Sequence, residues 1–415
     1  MTVEIPMLSA VIARMANPEI NLAAYGGIVY PVALIIEAPI IMLLSASTAL
    51  SRDWTTYQKL FRFMMIAGAI LTSIHILIAF TPLYYFVARQ LIGVPEKVIE
   101  PGRLGLMLIT PWSWSIGFRR FHQGVLIRFG HSEVVGTGTV IRLIADAVML
   151  AGGYWVGGFP GIVVGAASQA VGVVSEAVYI GTRVRPVLHN ELRKIPAKEP
   201  FSWGSFANFY IPLAMTSLLG LLWQPLGSAA LSRMPDPLTS LAVWPVASGL
   251  ANIFRSFGYA MNETTVAILD KVGSFFTLRK FVYLLAATVT GLYALTLLTP
   301  AAMFWFSGVS ALKPELASYA WNAFAFAIPM AGLTVFQSWF QGTIVNGRRT
   351  RAIPEATAVF VMVFGLIAGI GIGTARFPGL YVGFLGFVLA NFAQAAWLWL
   401  RSREPMTAVK RRDTI

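Results

Sequence analysis

The chain has no cysteine, so neither disulfides nor thiol chemistry enters its account. Charge is also scarce. Only 12% of the 415 residues are Asp, Glu, Lys or Arg, about half of the roughly 25% found in a soluble domain. Histidine occurs four times, scattered, which excludes a histidine-built metal cluster. No Walker A loop, HExxH or GxSxG is present, so ATP hydrolysis, zinc proteolysis and the serine-hydrolase elbow lack their signatures. We expect no enzyme activity and no resident cofactor, with any coupling to H+ or Na+. Residues 1–12 carry no basic n-region and no cleavage site, so they do not read as a signal peptide.

What remains is apolar: 57% hydrophobic residues and a mean hydropathy of +0.69. Uninterrupted apolar runs of about 20 residues recur along the whole length, the mark of membrane-spanning helices, whereas barrel strands would alternate every second residue. The fold class expected is therefore all-α integral membrane. Spans fall near 23–49, 60–87, 103–127, 134–156 and 160–182, then near 205–230, 239–267, 279–306, 316–345, 353–374 and 377–400. This organises the chain as an N-terminal membrane bundle (1–182), a basic linker (183–204), a C-terminal membrane bundle (205–400) and a basic tail (401–415).

Lys and Arg outnumber Asp and Glu, 31 to 18. In this chain the excess is topological rather than a nucleic-acid footprint. Basic residues fall about three to one on the side of the linker and tail, which the positive-inside rule places in the cytoplasm. A bacterial protein of this kind would sit in the inner membrane. The expected partners are the bilayer and a small-molecule or lipid-linked substrate, with the protein a monomer.

The sequence repeats. Pro111, Phe118, Gln123 and Gly124 recur as Pro329, Phe336, Gln341 and Gly342, 218 positions later. The same offset pairs Thr81-Pro82 with Thr299-Pro300, and Phe159-Pro160-Gly161 with Phe377-Pro378-Gly379. At 219, Arg14-Met15 pairs with Arg233-Met234, and Pro18 with Pro237. One drift of a residue over so long a register is what a small loop change produces, so the chain reads as two copies of one unit. The span at 205–230 has only its last third represented before residue 12. We therefore expect two parallel six-helix repeats, the first helix truncated, with about eleven complete spans. Six spans per copy is even, so the copies enter the membrane in the same direction and enclose a central cavity suited to alternating access.

Charged side chains inside spans are costly, about 3 kcal/mol each, and mark function or helix pairing. Glu37 and Arg255 occupy equivalent repeat positions, so they are expected to face each other across the cavity, as an exchange site or a structural pair. Arg119 and Gln123, four apart, share a helix face, as do their counterparts Gln337 and Gln341. Together they would present donors to an anionic or polyhydroxylated substrate; Arg119 and Arg120 alone could equally be topological charges. Asp146 and Glu176 in neighbouring spans could take a proton or sodium ion, or simply join helices. Asn262 and Glu263 complete the candidate set. His75 reads as a satisfied interior histidine.

The two-copy pattern resembles the multidrug/oligosaccharidyl-lipid/polysaccharide (MOP) superfamily of exporters and flippases, which includes the MATE transporters. Three segments resemble its progressive ankylosis (ANK) branch: Ala24-Tyr25 running through a span to Ser51-Arg52-Asp53, AGAILTSIHILIAFTPLYYF at 67–86, and HQGVLIRFGHS at 122–132. The resemblance implies a MATE-like fold and alternating-access export of an organic solute. For the ANK branch it implies phosphate-rich or carboxylate anions. Two features depart from that branch: the tail is short and basic instead of long and acidic, and the first span is incomplete. The alternatives are a flippase for a lipid-linked oligosaccharide or polysaccharide precursor and a cation-coupled multidrug exporter.

Overall fold

The computed structural model describes residues 3–196, 201–269, 273–347, 349 and 351–414, and of Glu263 and Ala267 the backbone alone. Lys198, Lys271 and Arg348 of the basic loops lie outside these. Among the described residues every regular element is a helix. By contact the chain forms two compact units, one of Arg14–Ala229 and one of Thr2–Ala13 with Ala230–Ile415.

The first helix, α1 (Glu4–Ile12), belongs to the second unit, where Pro6 packs against Gly249. The first unit begins with α2 (Pro18–Ala24), α3 (Tyr30–Ile41) and α4 (Leu43–Leu50), one apolar run interrupted by a π-turn at Tyr25–Val29 and a break at Met42. Pro31 and Pro39 lie in α3, where each removes a backbone donor. Then come α5 (Trp54–Phe80), α6 (Leu83–Tyr85), α7 (Glu96–Leu108), α8 (Thr110–Arg128), α9 (Ser132–Val156), α10 (Gly161–Asn190) and most of α11 (Trp203–Ser232). Asp53 starts α5 by accepting from the Thr56 N–H at 2.9 Å, the standard N-cap solution for an orphan amide. Thr81-Pro82 stops it. In the second unit follow α12 (Pro237–Tyr259), α13 (Met261–Leu269), α14 (Ser274–Leu298), α15 (Ala301–Met303), α16 (Pro314–Phe326), α17 (Ile328–Asn346), α18 (Ala352–Thr374) and α19 (Gly379–Arg412).

Nine runs among the described residues are long and apolar enough to cross a membrane, and α16 with α17, bent by 41°, makes a tenth if taken as one span. By length and composition alone this is one or two short of the expected eleven or so. The run at 103–127 does not qualify, because α7 and α8 break at Ile109 and α8 carries Arg119, Arg120 and Arg128. Its charge is hidden inside the bundle, as shown below. Two helices also outrun their expected ends. The α10 helix continues through Arg183 and Arg185 to Asn190, and α19 continues through the basic tail to Arg412. Cations in a last turn interact favourably with the helix dipole, so a basic run does not terminate a helix.

Local geometries recur at the 218–219 offset, each within its own unit. Asn17 and Asp236 both adopt left-handed backbone, with φ of 50° and 54°. Asn21 Oδ1 accepts the Ile162 N–H at 3.1 Å, and Ser240 Oγ accepts the Leu380 N–H at 3.0 Å. These bonds satisfy first-turn amides after the two Phe-Pro-Gly triplets. His75 Nε2 donates to the Leu106 carbonyl at 2.8 Å, and Tyr293 does the same to Phe324 at 2.8 Å. Gly124 lets α8 touch α4: a Cβ there would lie 2.4 Å from the Leu44 carbonyl oxygen. Gly342 does so for α17 on α13, with the Asn262 carbonyl oxygen 2.8 Å from such a Cβ.

Candidate functional site: a buried ionic network

Inside the first unit, helices α8, α9 and α10 bring their charges together. Arg119 Nη1 donates to Glu176 Oε2 at 2.5 Å, and Gln123 Nε2 donates to the other carboxylate oxygen at 2.9 Å. Arg142 Nη1 lies 3.9 Å from Glu176 Oε2. Arg119, Gln123, Arg142, Asp146 and Glu176 are all buried, Arg119 at 1% and Glu176 at 0% exposure. Glu37, also buried, and Glu176 both interact electrostatically with the partly exposed Arg120.

The local sequence makes room for this. Gly138, Arg142 and Asp146 lie at i, i+4 and i+8 of α9; Gln169, Gly172 and Glu176 lie on one face of α10. A Cβ at Gly172 would sit 1.8 Å from Asp146 Oδ1, and one at Gly138 would sit 3.4 Å from Glu176 Cγ. Two glycines thus seat two carboxylates between closely packed helices. Three carboxylates, Glu37, Asp146 and Glu176, share the interior with three guanidiniums. Arg119 Nε and Nη2 make no hydrogen bond among the described residues, so this cation has donors to spare in a dry environment.

The second unit answers the same positions with different chemistry. Gln337 and Gln394 stand where Arg119 and Glu176 stand in the first copy, and their amides meet at 3.3 Å. Gln337 also donates to the Asn391 carbonyl at 2.9 Å. Phe360, Phe364 and Phe387 replace Arg142, Asp146 and Gln169, with Phe360 stacked on Phe364 and edge-on to Phe387. Arg255 replaces Glu37. It donates to Thr334 Oγ1 at 3.1 Å and Asn252 Oδ1 at 3.0 Å, and it lies 5.0 Å from the Phe387 ring centroid. It forms no ion pair among the described residues, so a nearly buried guanidinium is held by neutral groups and aromatic faces.

The expected site residues therefore sort into two groups. Arg119, Gln123, Asp146, Glu176 and Glu37 lie in the first unit, four of them around the α8–α10 interface. Arg255 and Gln337 lie in the second, with Gln341 half-buried one turn along from Gln337 and Asn262 at the α13–α17 crossing. The Glu263 side chain lies outside the described residues. Arg142 and Gln169 were not among the expected residues. The signal was in the sequence, since each shares a helix face with a candidate carboxylate, Asp146 or Glu176.

Residues 6–154 match the family model of the progressive ankylosis protein (ANKH). Solved structures are similar over nearly the whole chain. The inward-facing conformation of a multidrug resistance MATE family transporter of the MOP superfamily aligns at TM-score 0.72 with 16% identity, covering 99% of this chain and 96% of that one. The lipid II flippase MurJ, in an inward closed conformation, aligns at TM-score 0.75 with 13% identity, covering 99% and 88%. A MATE crystal structure in the bent conformation aligns at TM-score 0.65 with 17% identity, covering 100% and 95%. The chain is an integral membrane protein with the MATE-like fold of these structures, and its N-terminal third resembles the progressive ankylosis family.

Proposed function

We propose that this protein is an alternating-access membrane transporter that exports an organic anion. The observation that carries the substrate class is Arg255, a guanidinium of 9% exposure whose partners among the described residues are Thr334, Asn252 and aromatic rings. A buried cation without a carboxylate is electrostatically incomplete, and an incoming carboxylate or phosphate completes it. The first unit shows the contrasting case, where arginines and acids balance internally. We assign coupling to that unit. Uptake of a proton or sodium ion at Asp146 and Glu176 would redistribute Arg119, Arg142 and Gln123 among the remaining acceptors, a change that a two-state helix packing can read. The repeat supports two parallel six-helix halves, with linker and tail on the cytoplasmic side.

The test is efflux from proteoliposomes loaded separately with ATP, pyrophosphate, citrate and a cationic dye. At least one anion should leave, and Arg255→Ala should slow it about tenfold or more, since hydrogen bonds to charged groups contribute about 1.5–3 kcal/mol. Dye efflux without anion efflux would sink the anion reading. The likeness to MurJ supports a second reading, a flippase for a lipid-linked precursor. It would be favoured if nothing soluble moves while a labelled lipid-linked sugar crosses.

A further inference from the structure

A cavity in the first unit lies apart from the ionic network. It has a volume of about 480 Å³ and is lined by Tyr57 and Phe61 of α5, Trp114, Phe118 and His122 of α8, and Arg185 of α10. That size falls within the range of about 300–1,000 Å³ typical of ligand cavities. Its opening faces outward: Val178 on its rim is 61% exposed on a helix apolar enough to span the membrane. An exposed valine on a spanning helix is the surface a lipid chain would meet at that opening.

The inner wall is aromatic, and the polar atoms of His122 and Tyr57 on it are occupied. His122 Nδ1 donates to the Phe118 carbonyl at 2.9 Å, which leaves Nε2 to accept from the Tyr57 hydroxyl at 3.3 Å. Phe118 packs over Gly181, where a Cβ would meet its ring at 2.9 Å. The wall thus offers mainly apolar faces, its histidine and tyrosine already paired with each other. The other end offers a charge. Arg185 is exposed and forms no ion pair among the described residues. It lies 24 residues after Gly161, the first residue of α10, hence about 36 Å along the helix. A hydrocarbon core is about 30 Å thick, so this guanidinium sits at headgroup depth while the aromatic wall, one turn and more deeper, sits at acyl depth.

We propose that this cavity is a binding site for an anionic glycerophospholipid, with an acyl chain against Phe61, Trp114 and Phe118 and the headgroup phosphate on Arg185. A single cation at an anionic surface contributes about 1 kcal/mol, which converts to roughly fivefold preference over a zwitterionic lipid.

Trp114 reports occupancy directly. The full-length protein is reconstituted in phosphatidylcholine vesicles with increasing fractions of phosphatidylglycerol or phosphatidylcholine brominated in the acyl chain. Quenching of Trp114 is isolated by difference from Trp114→Phe. Half-maximal quenching should come at about fivefold lower mole fraction of the brominated anionic lipid. Arg185→Gln should remove that preference, Arg185→Lys should keep most of it, and Val178→Phe, which fills the mouth without adding a tryptophan, should reduce quenching by both lipids. Equal quenching curves for the two lipids in the native protein would overturn the proposal. So would an unchanged preference in Arg185→Gln. Because Arg185 is exposed, its replacement leaves folding intact, and matching elution profiles verify this.

Discussion

Replacing Glu176 by glutamine should be among the most damaging conservative changes available in this chain, and a second change should undo most of the damage. Glu176→Gln keeps volume and shape but removes the only carboxylate among the described residues that pairs directly with Arg119, side chains 0% and 2% exposed. It also removes the charge 3.9 Å from Arg142. Breaking one partner of a buried ion pair costs about 3–5 kcal/mol, because an uncompensated charge stays in the interior. The second unit shows the neutral solution at equivalent positions, Gln337 beside Gln394. Arg119→Gln/Glu176→Gln copies it. The double variant still leaves Arg142 without its neighbour, so we expect a cost of about 1–2 kcal/mol, against about 4 for either single change, and a coupling energy well above the 0.5 kcal/mol scatter of independent sites. The assay is equilibrium unfolding in mixed micelles with increasing SDS, followed by tryptophan fluorescence. A double variant destabilised by the sum of the two singles would refute the reasoning, since it would show that Arg119 and Glu176 do not depend on one another.

Three further outcomes follow from particular contacts. Gly124→Ala places a Cβ 2.4 Å from the backbone oxygen of Leu44, which cannot rotate away. Overpacking of this kind costs about 1–3 kcal/mol, so the thermal midpoint should fall, whereas Gly136→Ala, with nothing within 4 Å, should leave it unchanged or raise it. His131 Nε2 pairs with Glu191 at 3.0 Å, and that hydrogen bond raises the imidazole above its ordinary value of 6.5. A raised folded-state pKa stabilises below the unfolded value and is lost as pH rises through the folded one. The stability gap between native protein and His131→Gln should therefore be open near pH 5.5 and closed by pH 8.5; a gap independent of pH would contradict the pairing. Asp413 accepts from the Phe275 N–H at 2.7 Å, and Arg412 donates to the Leu269 carbonyl at 2.8 Å. With the Arg412 guanidinium, which donates to Asp413 Oδ1 at 2.9 Å, and the Phe275 N–H holding the Asp413 carboxyl down to about 2, Asp413→Ala should speed proteolysis between α13 and α14, and an unchanged cleavage rate would show that the tail does not clasp that junction.

Much of the architecture is written locally. Scarce charge and apolar runs of spanning length leave helices in a bilayer as the only state that satisfies the backbone. The recurring Thr-Pro, Phe-Pro-Gly and Gln-Gly positions mark helix stops, helix starts and close crossings, because each depends on a few neighbouring residues. His75 illustrates the same legibility: an interior histidine with two partners, Ser113 at 3.1 Å and the Leu106 carbonyl. Asn17 and Asp236, with left-handed backbone just before helices, were not legible in the same way.

The sequence by itself determined which residues share a helix face, since 3.6 residues per turn fixes that without reference to anything distant. It determined that Arg119 and Gln123 point together, and that the two copies differ at the position of Glu37 and Arg255. Only the tertiary structure decided which faces meet. The α8–α10 packing joins Arg119 to Glu176 across 57 residues and turns an arginine that could have been topological into the centre of a buried network. The span near 103–127 counts as too polar by composition for the same reason. Its charges are compensated by helices far along the chain, and no window of local sequence contains that compensation.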